Sequence, residues 1–305
     1  MRRAFSDTLI KIAENDESLV FLTADLGFQV FDEFKRRFGK RYLNVGVAEA
    51  QLILAAAGLA FEGLRPVAYS IAPFVTARPY EQIRFSIAYH RLPVIIVGAG
   101  GGYTYAKAGV SHHAGDDLAL MGALPGMTVV APGGPDELSA LLPQMFVLDG
   151  PSYVRVGKFG EDDVGGSEPI ILGRARILKE GEKIVILSVG DVISEIQKAV
   201  LNLQKEDVHP SIYHFHTVKP LDIDALDRIG KKYQKIIVVE ESIPQGGLFH
   251  EICVWKSCLD KAPKILRVGA PDEFILGNPN REELRMRIGV DADSIESFCR
   301  KEWRS

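Results

Sequence analysis

The sequence predicts an α/β protein with two consecutive domains, each built on a mostly parallel sheet in a three-layer arrangement with helices on both faces. The chain has 305 residues, enough for two domains of ordinary size. Short apolar runs alternate with helical patterns in both halves. A stretch rich in glycine and acidic residues separates the halves, which predicts a linker at 161–175 between domains at 1–160 and 176–305.

In the first half, four short runs are apolar throughout, as is typical of strands buried on both faces of a parallel sheet. These runs lie at 18–23, 66–69, 93–97 and 127–130. The helix patterns of this half lie at 8–14, 49–61, 78–90, 116–124 and 135–148. Such an alternation places functional residues in loops at the carboxyl ends of the strands.

The second half repeats the alternation after the linker. Its predicted strands are 184–189, 211–215, 236–239 and 265–268. Its predicted helices are 191–206, 222–233, one from Gly247 through Trp255, and two at the C-terminus. We expect this domain to serve chiefly in dimerisation and as a scaffold.

The composition is that of an ordinary globular protein, with 47% apolar and 25% charged residues. The formal charge is −4 and basic residues are scattered, which argues against nucleic acid as a partner. The longest uncharged run, 93–106, is interrupted by glycines, whereas a membrane span needs about 20 apolar residues. No apolar signal core follows the N-terminus, and the three cysteines lack metal or redox spacing. We therefore expect a cytoplasmic protein that does not bind membranes.

Glu49 is the most informative residue of the first half. It lies in the segment NVGVAEAQ at 44–51 and begins a helix pattern that continues as LILAAAGLA. Desolvation in so apolar a setting raises the pKa of a carboxyl group and is typical of a residue that transfers protons. The alternative is a first-turn glutamate that is stabilised by the helix dipole.

Further motifs follow Glu49 in an order that resembles the transketolase family. They are PVAYS at 66–70, RPYEQIR at 78–84, SHH at 111–113, DLALM at 117–121, PGM at 125–127, GPSYVR at 150–155, VKPLD at 218–222, VEES at 239–242 and GGL at 246–248. The resemblance covers nearly the whole chain. It implies a thiamine-diphosphate pyrimidine-binding domain followed by a transketolase C-terminal domain, as in the C-terminal subunit of a split transketolase.

The resemblance also indicates what the sequence lacks. Transketolases hold the cofactor diphosphate through a divalent metal, with a Gly-Asp-Gly segment followed about 25–30 residues later by Asn. Here Gly-Asp occurs at 115–116 and 190–191 without the second glycine, and none of the five asparagines lies at that distance. The resemblance therefore implies no metal ligand in this chain. It implies Mg²⁺ held mainly by a separate N-terminal subunit, in an α₂β₂ assembly.

The resemblance assigns roles toward thiamine diphosphate to four residues. Glu49 would contact the aminopyrimidine ring and assist removal of the proton from the thiazolium ring, which requires a dry site. Phe74 would stack on the pyrimidine, with an ordinary core Phe as the alternative. Arg78 would reach the site or form a structural ion pair. Asp25 would lie near the thiazolium or cap the end of a strand.

The resemblance places three residues on the substrate side. His112 would contact the substrate and the reacting carbonyl, Arg155 would bind a substrate phosphate, and the role of His113 stays open. Three departures from the family pattern also concern the substrate side. Ala108 stands in place of a sugar-recognising acid, Gly100 in place of a phosphate-contacting histidine, and Gly27-Phe28 in place of a serine. A lost hydrogen-bond partner changes the discrimination between sugars strongly. The acceptor is therefore expected to be a non-standard sugar, modified or nucleotide-linked.

The leading interpretation is a transferase subunit that moves a two-carbon ketol unit. One alternative is the β subunit of a 2-oxo acid dehydrogenase, which has a similar length and domain order, although the segment NVGVAEA fits transketolases better. The other is a non-catalytic relative that acts as an assembly partner, against which the retention of Glu49 and a nearby aromatic residue argues.

Overall fold

The computed structural model describes residues 1–158 and 160–305, which form two α/β domains. The elements of the first half are α1 (Arg2–Asn15), β1 (Leu19–Thr23), α2 (Asp32–Arg37), β2 (Tyr42–Asn44), α3 (Glu49–Phe61), β3 (Arg65–Ile71), α4 (Ala72–Thr76), α5 (Tyr80–Gln82), β4 (Ile95–Ala99), α6 (Asp117–Gly122), β5 (Thr128–Val130), α7 (Pro135–Phe146) and β6 (Ser152–Val156). A π-helical turn, Ile83–Ala88, follows α5.

The second half contributes β7 (Arg176–Lys179), β8 (Ile184–Ser188), α8 (Ile193–Gln204), β9 (Ser211–His214), β10 (Thr217–Lys219), α9 (Ile223–Lys232), β11 (Lys235–Glu240), α10 (Leu248–Ser257), β12 (Lys264–Gly269), α11 (Arg281–Ile288) and α12 (Ala292–Arg304). In the part of the chain that the structure describes, no helix has the length and apolar character that crossing a membrane requires.

The first sheet has seven strands in the order β10-β5-β6-β4-β3-β1-β2, and β1 to β6 pair in parallel. Alternate residues of β1 enter opposite cores, since Val20 and Leu22 pack with α3 while Leu19 and Phe21 pack with α1. Both faces of the sheet are thus covered by helices, and the predicted three-layer arrangement is confirmed.

The second sheet has five strands in the order β12-β11-β8-β9-β7. Only the edge strand β7 is antiparallel to its neighbour, and the other strands pair in parallel. The second domain is therefore also mostly parallel, as the sequence predicts.

Among the differences between the fold and the sequence-based expectations, two change the outline of the first domain. The helix predicted at 78–90 is instead the three-residue α5 followed by the π-helical turn. The strand β10 lies beyond the predicted linker, yet it pairs antiparallel with β5 at the edge of the first sheet. The second half therefore completes the sheet of the first half, and the domain boundaries at 160 and 176 stay a prediction.

A buried polar network joins the two halves of the chain. Glu137 of α7 accepts hydrogen bonds from Arg176 of β7 at 2.8 Å and from the Gly133 amide at 2.7 Å. The His214 ring lies between Ser188 Oγ, 2.8 Å from Nδ1, and Glu137 Oε2, 3.2 Å from Nε2. His216 is fully buried beside this group, and its Nδ1 lies 2.9 Å from Thr217 Oγ1.

This network predicts a loss of stability in acid. Burial disfavours the His216 cation and lowers its pKa to about 4; Glu137 opposes the shift, while His214 and Arg176 add to it. The unfolded chain, with a histidine pKa of about 6.5, then binds the extra proton, so stability falls as the pH drops from about 6.5 to 4. Urea unfolding at pH 7 and pH 4.5 should show that His216→Gln loses about 2 kcal/mol less than the native chain over this interval.

The matched control is His209→Gln, which changes a histidine that is 43% exposed at its side chain. It should retain the full acid-induced loss. An equal loss in the native chain and in His216→Gln would remove His216 as the cause.

Candidate active site

A cleft of about 630 Å³ lies between the two halves of the molecule. Both domains line it. Its walls are formed by Pro73, Phe74, Ala77, Arg78, Tyr103, Val110, Ser111, His113, Gly115 and Asp116 of the first domain and by Ile243 and 272–275 of the second. The cleft lies outside the carboxyl ends of β3 and β4, where functional loops of a parallel sheet are expected.

Glu49 is the first residue of α3 and is 4% exposed. Its Oε1 accepts a hydrogen bond from Ser70 Oγ on β3 at 3.2 Å, and its Oε2 accepts one from Arg78 Nη1 at 3.2 Å. The apolar helix that follows excludes water from one side of the carboxylate. Glu49 is thus a buried acid with two polar contacts, one of which, Arg78, lines the cleft.

Phe74 and Arg78 lie beside Glu49, as the assigned roles require. The Arg78 guanidinium lies 3.7 Å from the centre of the Phe74 ring and at the same time donates its hydrogen bond to Glu49. Its side chain is about half exposed, whereas Glu49 is buried. A cation over an aromatic face is favourable, more so where water is partly excluded. The three side chains form a compact group of an acid, an aromatic ring and a cation.

His112 joins this group from the loop after β4. Its ring centre lies 4.9 Å from that of Phe74 and 5.8 Å from that of Tyr105, and its Nδ1 is 3.0 Å from Ser111 Oγ. Burial lowers the pKa of His112, and the positive charge of Arg78 lowers it further. The imidazole is therefore neutral near pH 7, and a neutral imidazole can accept a proton or donate a hydrogen bond.

His113 lines the cleft but is held by its own domain. Its Nε2 is 3.2 Å from the Ala106 carbonyl oxygen, and its ring lies edge-on to that of Tyr103, 5.2 Å between centres. A ring nitrogen that donates to a carbonyl leaves the other nitrogen available to a ligand. This geometry gives His113 a fixed orientation, and its role toward a substrate stays a prediction.

Asp25 follows β1 in the left-handed region of backbone conformation, at φ +56°. Its amide donates to Asn44 Oδ1 at 3.0 Å, and its carboxylate accepts from Asn44 Nδ2 at 2.9 Å. The same Asn44 oxygen accepts from the Gly46 amide at 3.0 Å, three residues before Glu49. Asp25 therefore braces the segment that leads into α3. Its role near the cofactor stays a prediction.

Arg155 lies apart from the cleft. It is 7% exposed, and its guanidinium is paired with the fully buried Asp117, with Nε 3.0 Å from Asp117 Oδ2 and Nη2 bonded to Oδ1. The glycine loop packs on its aliphatic stem, since a Cβ on Gly101 would clash with Arg155 Cγ. A substrate phosphate would have to compete with a buried ion pair. The geometry favours a structural role for Arg155 over the phosphate contact that the sequence suggested.

The sequence-based reasoning missed two contributions to the site. Ser70, which donates to Glu49, is part of the PVAYS motif, but a serine at the end of a strand carries no chemical signal by itself. The second domain, expected to be chiefly a scaffold, supplies Ile243 and residues 272–275 to the wall of the cleft. Among the described residues, no group of three or more His, Cys, Asp or Glu side chains could hold a metal ion.

Two family models match this chain in succession. The transketolase pyrimidine-binding domain matches residues 1–159, and the transketolase C-terminal domain matches residues 173–295.

Full-length relatives are similar to the chain across most of both sequences. An apulose-4-phosphate transketolase subunit of Phocaeicola vulgatus is 29% identical over 96% of this chain and 94% of its own. The 6-deoxy-6-sulfo-D-fructose transketolase subunit SqwH of a Clostridium species is 32% identical over 90% and 85%. A solved split-gene transketolase, described as an inactive β4 tetramer, superimposes with a TM-score of 0.89 at 29% identity and covers 99% of this chain and 98% of that one. The chain therefore belongs to the transketolase family, as a subunit that carries the pyrimidine-binding and C-terminal domains of a split enzyme.

Proposed function

We propose that this chain supplies the proton-transfer half of the active site in a two-subunit transketolase, which transfers a two-carbon ketol unit to a non-standard sugar. The observation that carries the proposal is the buried Glu49, which is bonded to Arg78 in the wall of the cleft, where Arg78 lies over Phe74. The relatives are transketolase subunits, which favours ketol transfer over the 2-oxo acid dehydrogenase and over a non-catalytic assembly partner.

The residues at the cleft fit the pyrimidine half of thiamine diphosphate. Phe74 offers an aromatic face, and Glu49 offers a carboxylate able to bond a ring nitrogen. Since Arg78 now covers Phe74 and bonds Glu49, its guanidinium must move or share these contacts when a ring is bound. Thiamine diphosphate, when bound, supplies an electron sink for carbanion chemistry.

This chain's own contribution is to hold and move protons beside the cleft. Glu49 would contact the aminopyrimidine nitrogen and exchange a proton with it. The neutral His112 imidazole would accept a proton from a substrate hydroxyl, or donate a hydrogen bond to a carbonyl oxygen. Phe74 and His112 lie in edge contact, so a ring stacked on the open face of Phe74 would lie close to the His112 imidazole.

The diphosphate and Mg²⁺ belong, in this proposal, to a separate N-terminal subunit, in an α₂β₂ assembly. Hard oxygen ligands and phosphates are what Mg²⁺ prefers, and the Gly-Asp-Gly segment that would provide them is missing from this sequence. The enzyme would act in the cytoplasm, which agrees with the three free cysteines. The acceptor would be a non-standard sugar, as the names of both relatives suggest for their own substrates.

The test is capture of the cofactor by the chain, by the diphosphate-binding subunit and by the two together. Calorimetric titration of thiamine diphosphate with Mg²⁺ should show tight binding for the pair, at least 100-fold tighter than for either chain alone. Tight binding by this chain alone would contradict the split of the site. A loaded pair that transfers no ketol unit from any ketose donor would contradict the assignment as a transketolase.

A further inference from the structure

The segment at 241–243, directly after β11 of the second domain, is bonded to the first domain. The Glu241 Oε2 atom accepts a hydrogen bond from the Tyr103 amide at 3.4 Å. Two residues later, the Ile243 amide donates to the Gly115 carbonyl at 2.9 Å. The segment begins in the VEES motif at 239–242, which has no part in the proton transfer proposed above.

The Glu241 carboxylate is held by two arginines of α11 on the side away from Tyr103. Arg285 Nε donates to its Oε1, and Arg281 Nη2 lies 3.5 Å from its Oε2. Glu241 is 3% exposed; burial raises the pKa of its carboxyl group, but Arg285 and Arg281 outweigh burial and hold the pKa at about 2. The carboxylate is therefore ionised at neutral pH and anchored within the second domain.

The glycine loop of the first domain, residues 100–103, packs directly on this carboxylate. Gly102 has φ +58°, and a Cβ atom on it would lie 2.9 Å from Glu241 Oε2 and 3.0 Å from Glu241 Cβ. Contacts that short are not made by side chains, so glycine is what lets the backbone approach Glu241 so closely. With the amide of Tyr103, two consecutive backbone units of the loop thus contact the same carboxylate.

The glycine loop is bonded in turn to the segment that carries the two histidines. The Gly102 carbonyl accepts a hydrogen bond from the Ala114 amide at 2.8 Å, directly after His113. The buried Tyr103 ring lies edge-on to the His113 ring, with 5.2 Å between their centres. His112 is the preceding residue of the same segment. A continuous set of contacts therefore leads from the second-domain carboxylate to both histidines.

We propose that Glu241 is a positioning residue of the active site, which fixes the glycine loop and thereby sets the places of His112 and His113. The inference rests on the proposed function for its consequence in catalysis. The contacts that support it are made within this chain. The VEES motif and the second domain would then contribute to the reaction as well as to the scaffold.

The first experiment measures hydrogen–deuterium exchange on the purified full-length chain with two substitutions of Glu241. In Glu241→Gln the amide has a single acceptor oxygen, so it cannot serve both Arg285 and the Tyr103 amide. In Glu241→Asp the charge stays, and the long arginine side chains can follow it. The Tyr103 backbone cannot follow a carboxylate that is one methylene group shorter. Glu241→Asp is thus the milder variant and decides the question if Glu241→Gln does not fold.

Faster exchange is expected in the glycine loop and the histidine segment. Amides of residues 100–115 should exchange about tenfold faster or more in both variants, because local opening of this loop becomes easier. Amides of β1 and β4 in the core of the first sheet should keep their native rates. A change confined to 235–295 would show that Glu241 stabilises its own domain only, and it would overturn the inference.

The second experiment measures catalysis by the assembled pair loaded with thiamine diphosphate and Mg²⁺. Misplacement of a reacting group by about 1 Å can cost about 100-fold in rate, so Glu241→Asp should lower kcat for consumption of hydroxypyruvate, a small ketol donor, about 10- to 100-fold. The Kd of thiamine diphosphate should stay native, because Glu49 and Phe74 lie on α3 and α4. This division between kcat and cofactor affinity is not expected from a general loss of stability.

The matched control makes the same two substitutions at the neighbouring Glu240. This residue is also fully buried, but its carboxylate bonds to Arg267 at 3.2 Å and to the Leu248 amide at 2.8 Å, both in the second domain. The Glu240 variants should lower the midpoint of urea unfolding and yet keep native exchange at 100–115 and near-native kcat. An equal effect of the Glu240 and Glu241 variants on that segment or on kcat would overturn the inference.

The two experiments separate failure of this inference from failure of the proposed function. Native exchange at 100–115 in both Glu241 variants, or faster exchange with unchanged kcat, would overturn the positioning role and leave the proposed function standing. A native pair that does not consume hydroxypyruvate would overturn the proposed function and, with it, the catalytic consequence assigned to Glu241.

Discussion

Glu49→Gln is expected to abolish turnover of the assembled enzyme while leaving the fold intact. Glutamine has the shape of glutamate, and its amide oxygen can accept from Arg78 while its amide nitrogen donates to the Ser70 hydroxyl, but it cannot hold or release a proton. Positioned acid–base groups typically contribute about 10²- to 10⁴-fold to a rate. We expect kcat to fall by about 10³-fold or more, measured by release of the ketol product with saturating cofactor.

The stability of this variant should change little. The Arg78 side chain that pairs with Glu49 is 52% exposed, and such partly exposed pairs contribute about 1 kcal/mol or less. Urea unfolding and gel filtration of the pair should therefore match the native enzyme. The matched control is Glu62→Gln, which makes the same chemical change at an exposed residue just beyond the end of α3. Near-native kcat for Glu49→Gln would remove Glu49 from the proposed reaction.

Much of the fold could be predicted because its strands are buried on both faces. Runs such as 18–23 and 93–97 are apolar throughout, and that pattern can be recognised without knowing which strands lie beside them. Glu49 was found for a related reason. An acid at the start of an apolar helix contrasts with its surroundings, and the structure bonds it to Arg78, which lines the cleft and lies over Phe74.

The missed elements depend on contacts that are distant in sequence. The fully buried strand β6 carries Arg155 as its fourth residue, and a charge at that position argues against a buried strand when the segment is read alone. The Asp117 carboxylate balances the charge of Arg155, and Asp117 lies 38 positions earlier in the chain. The three-residue β10 is likewise a strand because β5 offers it an edge. The residues within β6 and β10 therefore do not by themselves indicate a strand.

The contribution of the second domain to the cleft was missed because it also depends on contacts between residues distant in sequence. Residues 271–276 lie between the last predicted strand and the C-terminal helices, and the motifs of the sequence assign them no role. Their place opposite Phe74 follows from the packing of one domain against the other. Prediction from sequence therefore identified the residues whose chemistry is unusual in their own segment, and it missed those whose role is set by the neighbouring domain.

The buried pair of Arg155 and Asp117 gives the largest expected effect on stability. Asp117 is fully buried and accepts hydrogen bonds from Arg155, from Tyr153 Oη at 2.5 Å and from the Leu118 amide at 2.7 Å. Asp117→Asn keeps the shape but leaves the guanidinium without its counter-charge. Breaking a buried ion pair by removing one partner costs about 3–5 kcal/mol. Urea unfolding of the purified chain should show a loss in that range.

A double-mutant cycle separates this structural role from phosphate binding. Arg155→Met alone should also be strongly destabilising, because it leaves the Asp117 carboxylate unpaired. The double variant Asp117→Asn/Arg155→Met should be more stable than the sum of the single losses predicts, by at least about 2 kcal/mol. The exposed pair of Arg84 and Glu81 is the control, and Glu81→Gln should leave the free energy of unfolding unchanged within error.

The opposite pattern would restore the role that the sequence suggested for Arg155. If Arg155 bound a substrate phosphate and Asp117 only held it in place, Arg155→Met would raise the KM of phosphorylated acceptors. The free energy of unfolding would then change little. The two roles thus predict different quantities, a free energy of unfolding or a KM. Because Arg155 is 7% exposed and bonded to Asp117 through two nitrogens, we expect the change to appear in the free energy of unfolding.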